Sequence, residues 1–157
     1  MPPTLQPPTA GRTVAVVGDV YRFLATGADT GGRYALWEAL VPPGGGPPLH
    51  VHGREEEWFY VTEGAVTFTV DGVRTVAGPG WFARLPPGVP HAFKNEGAAP
   101  ARMLIGVEPA GLEGMFFEVG VPLPDGATTA RPPAADEVER LLAAAPRYGV
   151  EIRLPGA

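Results

Sequence analysis

Cysteine is absent from this 157-residue chain, which excludes disulfides and every thiolate metal site. Only nitrogen and oxygen ligands remain for any metal. Basic residues are scarce too: 12 Lys plus Arg stand against 17 Asp plus Glu, for a net charge of −5, and they form no run. That argues for no nucleic-acid partner and no anionic membrane surface. No apolar stretch approaches membrane-spanning length, and the opening Met1-Pro-Pro-Thr-Leu-Gln-Pro-Pro8 lacks the basic and apolar regions of a signal peptide. The expectation is a soluble, cytoplasmic protein. Histidine occurs just three times, as His50, His52 and His91.

Abundance lies elsewhere. The chain carries 22 Gly and 20 Pro with no repeating period, which points to many tight turns and many short strands. Its 45% hydrophobic and 18% charged content is that of a globular protein, and its length suits one domain with a real core. Residues 1–12 read as a flexible N-terminal arm, 13–110 as a β-barrel domain, and 111–157 as a C-terminal extension with a linker and an amphipathic helix. Strands are expected at Val14–Val17, Val20–Thr26, Arg33–Val41, Glu57–Thr62, Ala65–Val70, Val73–Val76, Trp81–Leu85, His91–Lys94 and Arg102–Val107. Asp71-Gly72 between two alternating runs signals a two-residue hairpin. Strands this short and evenly spaced predict a β-sandwich or small barrel.

The tail changes period. Leu112, Phe116 and Val119 predict a short helix over 111–119, and 121–135 is a Pro/Ala/Thr-rich linker. Val138, Leu141, Leu142 and Ala145 then fall at helical spacing, with Asp136 and Glu137 suited to the helix start and Pro146 ending it. That stripe should dock on the barrel or on a second subunit.

The three histidines sit in two short segments. Alternate side chains of a strand share a face, so His50 and His52 can point at one ion. Glu55, Glu56 and Glu57 follow at once, and His91 arrives later, directly after a Pro/Gly turn. Imidazoles from separate strands converge where a sheet closes on itself, as inside a barrel.

These segments resemble the two motifs of the cupin superfamily. The first motif is matched by Gly44, His50, His52, Glu57 and Gly64, and the second by Gly80, Pro86, Gly88, His91 and Asn95, with 15 residues between the two. The resemblance covers roughly residues 33–108 and implies an all-β fold, a double-stranded β-helix (jelly-roll) barrel with a short C-terminal helical extension. It also implies that His50, His52, Glu57 and His91 are ligands of one divalent transition metal per chain. Four N/O ligands suit Fe, Mn, Ni or Co with open positions, while Zn would suit a closed site. Glu56 would satisfy the shorter spacing the motif allows after His-x-His. Glu57 alone keeps the six-residue gap to Gly64 and shares a strand face with Phe59, which leaves Glu55 and Glu56 as solvated rim charges.

By strand parity Phe59, Val61 and Phe93 also point inward and form the expected substrate pocket. It is apolar and has no cationic cluster, so a flat enolic or phenolic molecule fits better than a phosphorylated one. Pro42-Pro-Gly-Gly-Gly-Pro-Pro-Leu-His-Val-His52 and the tail around Glu139-Arg-Leu-Leu142 are similar to small quercetin 2,3-dioxygenase-like cupins. That likeness implies a dioxygenase of a flavonol-like substrate, with Glu57 as ligand and catalytic base, and a homodimer. A metal-dependent cyclase or isomerase without O₂ chemistry, and a non-catalytic small-molecule binder, are the other readings.

Overall fold

The computed structural model describes residues 1–156. Its strands are β1 (Thr13–Val16), β2 (Asp19–Ala25), β3 (Ala35–Val41), β4 (His50–His52), β5 (Glu56–Glu63) and β6 (Val66–Val70), followed by β7 (Val73–Ala77), β8 (Phe82–Leu85), β9 (His91–Lys94), β10 (Ala101–Glu108), β11 (Val121–Leu123) and β12 (Val150–Ile152). Three short helices, α1 (Gly27–Thr30), α2 (Glu113–Val119) and α3 (Glu137–Ala144), complete the chain. Two antiparallel sheets form, one of seven strands in the order β11-β1-β2-β3-β10-β5-β8 and one of five in the order β12-β4-β9-β6-β7. This is the all-β jelly-roll with a short C-terminal helical extension.

Strand alternation explains the core. Trp37 on β3, Phe59 and Val61 on β5, and Met103 and Ile105 on β10 all face inward and are almost wholly buried. Each such side chain contributes roughly 1.5–3 kcal/mol by leaving water. The Asp71-Gly72 turn joins β6 to β7 with Val70 opposite Val73, and both turn residues have positive φ (49° and 83°). That backbone matches strand twist and disfavours bulky side chains, which is why Asp-Gly stands there.

Four features differ from the sequence expectation. The first is β11, which lies inside the stretch read as a linker and pairs with β1, covering what would be a bare sheet edge. The second is β12, which no periodicity announced and which pairs with β4. The third is Pro146, which does not simply stop the chain from winding. It sits at the start of a 3₁₀ turn, Ala145–Tyr148, where its missing N–H breaks no helical bond. The last is Val138, which is 42% exposed although Leu141, Ala144 and Ala145 of the same segment are buried. Residues 1–12 hold neither helix nor strand, and Gln6 Nε2 donates to the Phe23 carbonyl at 3.2 Å. Among the described residues no helix is long and apolar enough to cross a membrane.

Candidate metal centre and its cavity

β4 is three residues long, and its alternation buries His50 and His52 on one side with Val51 between them. Register places His50 directly opposite His91 of β9. Glu57 comes from the other sheet, where β5 runs between β8 and β10 and pairs Glu57 with Leu85 and Val107. The carboxylate therefore meets the three imidazoles across the interior between the sheets. One ligand atom from each of the four residues lies within 4.8 Å of all the others, and all four residues are buried.

Tautomers follow from the neighbours. His50 Nδ1 lies 2.8 Å from the Pro48 carbonyl and His91 Nδ1 lies 2.9 Å from the Val89 carbonyl. A carbonyl only accepts, so each Nδ1 carries the proton and donates it, leaving the Nε2 lone pair free. His52 Nε2 stands 2.5 Å from Glu57 Oε2, and His91 Nε2 stands 3.6 Å from the same oxygen. His91 Nε2 is beyond hydrogen-bond reach and the close His52–Glu57 approach is an ion contact without hydrogen-bond geometry, so His52 Nε2, His91 Nε2 and Glu57 Oε2 are buried without a hydrogen-bond partner. Leaving a polar atom buried and unmatched costs roughly 1–3 kcal/mol. A divalent cation would satisfy all of them at once, so the residues fit a metal.

Protonation favours the same use. His50 is pushed down to about 4, first by burial and then by the neighbouring His91, so it is neutral at pH 7. Burial alone would raise the Glu57 carboxyl, but the charges and hydrogen-bonding capacity of His52 and His91 win and hold it well below the usual carboxylate range. For His52 the largest influence, burial, pulls downward, yet Glu57 and then Glu55 raise it overall. A neutral imidazole and an ionised carboxylate are the forms a metal takes, and binding must displace the proton that Glu57 favours on His52.

Glu55 is a correction. Read as a solvated rim charge, it is 3% exposed, with Oε2 at 3.8 Å from His52 Nδ1. Strand parity could not place it, because it sits in the irregular step between β4 and β5 rather than in either strand. Burial raises its carboxyl from the ordinary value. The 3.8 Å gap to His52 Nδ1 exceeds a hydrogen bond and both atoms are without a hydrogen-bond partner, so Glu55 acts on His52 through its charge. Glu56 points the other way and pairs with Arg84 at 2.9 Å.

The remaining motif residues hold the scaffold. Asn95 is buried, and its Nδ2 donates to the carbonyls of Val41 and Ala99 at 2.9 and 2.8 Å. The Asn95 backbone exchanges bonds with Gly44 and Gly45, and the Gly88 amide donates to the His52 carbonyl. The turn ahead of His91 is thereby tied to the strand that carries His52.

A family model described as "Cupin domain" matches residues 37–107. The chain belongs to the cupin family. It is 35% identical over 74 residues to the uncharacterized protein MJ1618 of Methanocaldococcus jannaschii, covering 47% of this chain and 59% of that one. It is 33% identical over 86 residues to the quercetin 2,3-dioxygenase of Bacillus subtilis, covering 55% of this chain but only 24% of the enzyme. Protein SchB of Streptomyces halstedii is 34% identical over 94 residues, covering 59% of this chain and 67% of SchB. Among solved structures, the polyketide cyclase RemF of Streptomyces resistomycificus superposes with a TM-score of 0.60 at 25% identity, covering 69% of this chain and 80% of RemF.

Beside the four residues the cupin barrel holds a cavity of about 70 Å³ that opens to solvent. His50, His52 and Glu57 form one wall. Of the expected pocket residues, Phe93 lines the cavity, while Phe59 and Val61 do not. Parity placed Phe59 inward correctly, but it is enclosed by Phe68, Phe93 and His91, with ring centroids at 5.2, 5.8 and 6.0 Å. It supports the His91 ring from behind. Much of the other lining comes from the C-terminal extension: Leu112, Met115 and Phe116 in and before α2, Leu141 of α3, and Val150 and Ile152 of β12, which stand beside His52 and His50 in the same sheet. Tyr21 and Trp37 complete it, and neither was picked out by motif or spacing.

Proposed function

We propose that this cupin is a metal-dependent enzyme acting on an enolic or phenolic small molecule, with a flavonol-type dioxygenase reaction as the leading activity. The observation that carries the proposal is the joining of a His₃Glu cluster to a cavity whose other lining is apolar and aromatic. The likeness to a quercetin 2,3-dioxygenase supports the reaction class. His50, His52, Glu57 and His91 would hold one divalent ion of Fe, Mn, Ni, Co or Zn type. Such an ion would supply Lewis-acid capacity at the substrate oxygens and, for Fe, Mn, Ni or Co, redox capacity as well.

The protein's own groups do the rest. The apolar walls exclude water and keep a planar substrate against the cluster. Glu57 presents Oε2 to the two histidines and lines the cavity, so its second oxygen is the acceptor for a substrate hydroxyl proton. Phe93 packs against the guest. Glu57→Gln should retain much of the metal and lower turnover by roughly 10²–10⁴-fold, the usual weight of a positioned base. The deciding experiment is oxygen consumption with a panel of flavonols after loading each metal in turn. A second reading, a cyclase or isomerase, has its own support in the likeness to a polyketide cyclase. It would keep turning over without oxygen, and a non-catalytic binder would release its ligand unchanged.

A homodimer is also proposed. The edge strands β7 and β8, with the residue just before β8, expose Val73, Val76, Trp81 and Phe82, which a second copy would cover. A monomer mass by light scattering at micromolar concentration would refute it.

A further inference from the structure

A second, smaller cavity shares Val16, Tyr21, Pro47, Pro48, Leu141 and Ile152 with the first, and none of the four cluster residues lines it. Asp19 does line it. Asp19 and Tyr21 stand two apart on β2, so their side chains share the inward face, and Tyr21 Oη donates to Asp19 Oδ2 at 3.3 Å. Asp19 is 3% exposed and Oδ1 has no partner. Among the described residues no Lys, Arg or His pairs with it. Gly45 lies so close to Oδ1 that a Cβ there would collide with it, so the Pro/Gly loop of residues 42–48 is shaped around this carboxyl. Trp37, which lines the first cavity, likewise leaves its indole N–H without an acceptor.

A buried acid with no cation, held only by Tyr21 and the Gly46 backbone, is costly to keep unless something else meets it. We propose that Asp19 and Tyr21 form a second anchor of the cavity, binding a hydroxyl of the substrate at the end away from the four-residue cluster. The substrate class then narrows to enolic or phenolic molecules with a further hydroxyl remote from their metal-facing oxygens. A hydroxyl suits either form of the carboxyl, because it donates to the carboxylate and accepts from the acid. Burial pushes Asp19 up to about 7, against the pull of Tyr21 and the Gly46 backbone, so both forms are within reach near neutrality. Tyr21 bridges the two chambers: its ring packs edge-on against Phe116 at 4.8 Å while its hydroxyl turns to Asp19.

The inference rests on the proposed metal-dependent reading, and the test separates the two. Metal-loaded full-length protein is titrated without oxygen with quercetin and with 3-hydroxyflavone. These share the same 3-hydroxy-4-keto unit and differ in the ring hydroxyls. The wild type should bind quercetin about tenfold more tightly, the weight of one hydrogen bond to a charged partner. Tyr21→Phe and Asp19→Asn should each bring that ratio close to one, with 3-hydroxyflavone affinity and metal content unchanged. Tyr21→Phe keeps the ring on Phe116, so it serves even if Asp19→Asn folds poorly. A wild-type ratio near one, or a ratio unchanged in both variants, overturns the anchor while leaving the metal-dependent reading intact. Binding of neither flavonol by the loaded wild type overturns the flavonol reading and removes the anchor with it.

Discussion

The cluster wall and the rest of the cavity lining are built on opposite principles. On the cluster wall four polar side chains from both sheets converge until each is within reach of the others. Elsewhere in the lining apolar side chains of β1, α2, α3 and β12 surround polar groups that stay apart, with Asp19 held by Tyr21 and the Gly46 backbone. Converging lone pairs make a place for a cation. Isolated hydrogen-bonding groups in an apolar wall read the outline of an organic guest. The proposed metal centre and the proposed hydroxyl anchor are therefore separate constructions in two neighbouring cavities.

The largest effect should come from breaking the cluster. His91→Ala removes one of four donors and should weaken metal binding by roughly a hundred- to thousandfold, measured by elemental analysis and competitive chelation. Full retention of metal in that variant would sink the proposed centre.

Acidity should pull the two regions in opposite directions. The His50 pKa lies near 4 in the folded protein against 6.5 for the free group, so the unfolded chain binds more protons between those values. Metal-free protein should then lose up to about 3 kcal/mol through His50 as pH falls from about 6.5 to 4. Asp19 has the reverse sign. Its pKa of about 7 against 3.8 means that the folded state holds the extra proton. Its contribution is present at low pH and lost as pH rises from about 4 through 7, amounting to roughly 2–4 kcal/mol. Denaturant melts of Asp19→Asn and wild type across that range should diverge as pH rises, and parallel curves would refute the Asp19 account.

Leu141→Ala should cost about 2–4 kcal/mol in the same melts, because Leu141 is buried and closes the cavity from α3. It should leave metal content unchanged, since β12, and not α3, is the part of the extension paired with the strand that carries His50 and His52. Glu55→Gln is the smallest expected change. Losing the carboxylate behind His52 should weaken metal binding by about 10–100-fold while keeping the fold.

The parts differ in how far the chain alone revealed them. His50, His52 and His91 were legible because the ligand chemistry demands particular residue types, and the motif glycines and prolines pin the turns between them. Glu57 needed the spacing to Gly64 to be separated from its neighbours. The inward direction of Phe59, Val61 and Phe93 followed from alternation, yet only Phe93 reaches the cavity, because facing inward does not say which layer of a core a side chain joins. Glu55 was misread for a related reason. Burial in an irregular connection depends on what folds over it, and no period describes that.

By itself the sequence determined the barrel strands, the Asp71-Gly72 hairpin and the short helices of the tail, and its likeness to the cupin motifs singled out the four converging residues. Those depend on local backbone preference, on alternation, and on side-chain types that few other roles require. Only the tertiary structure decided that Val121–Leu123 and Val150–Ile152 would join the sheets. It alone brought Leu141 over the cavity and left Asp19 buried beside Tyr21. These are long-range pairings, chosen by which exposed edge or apolar face remains to be covered once the barrel has closed.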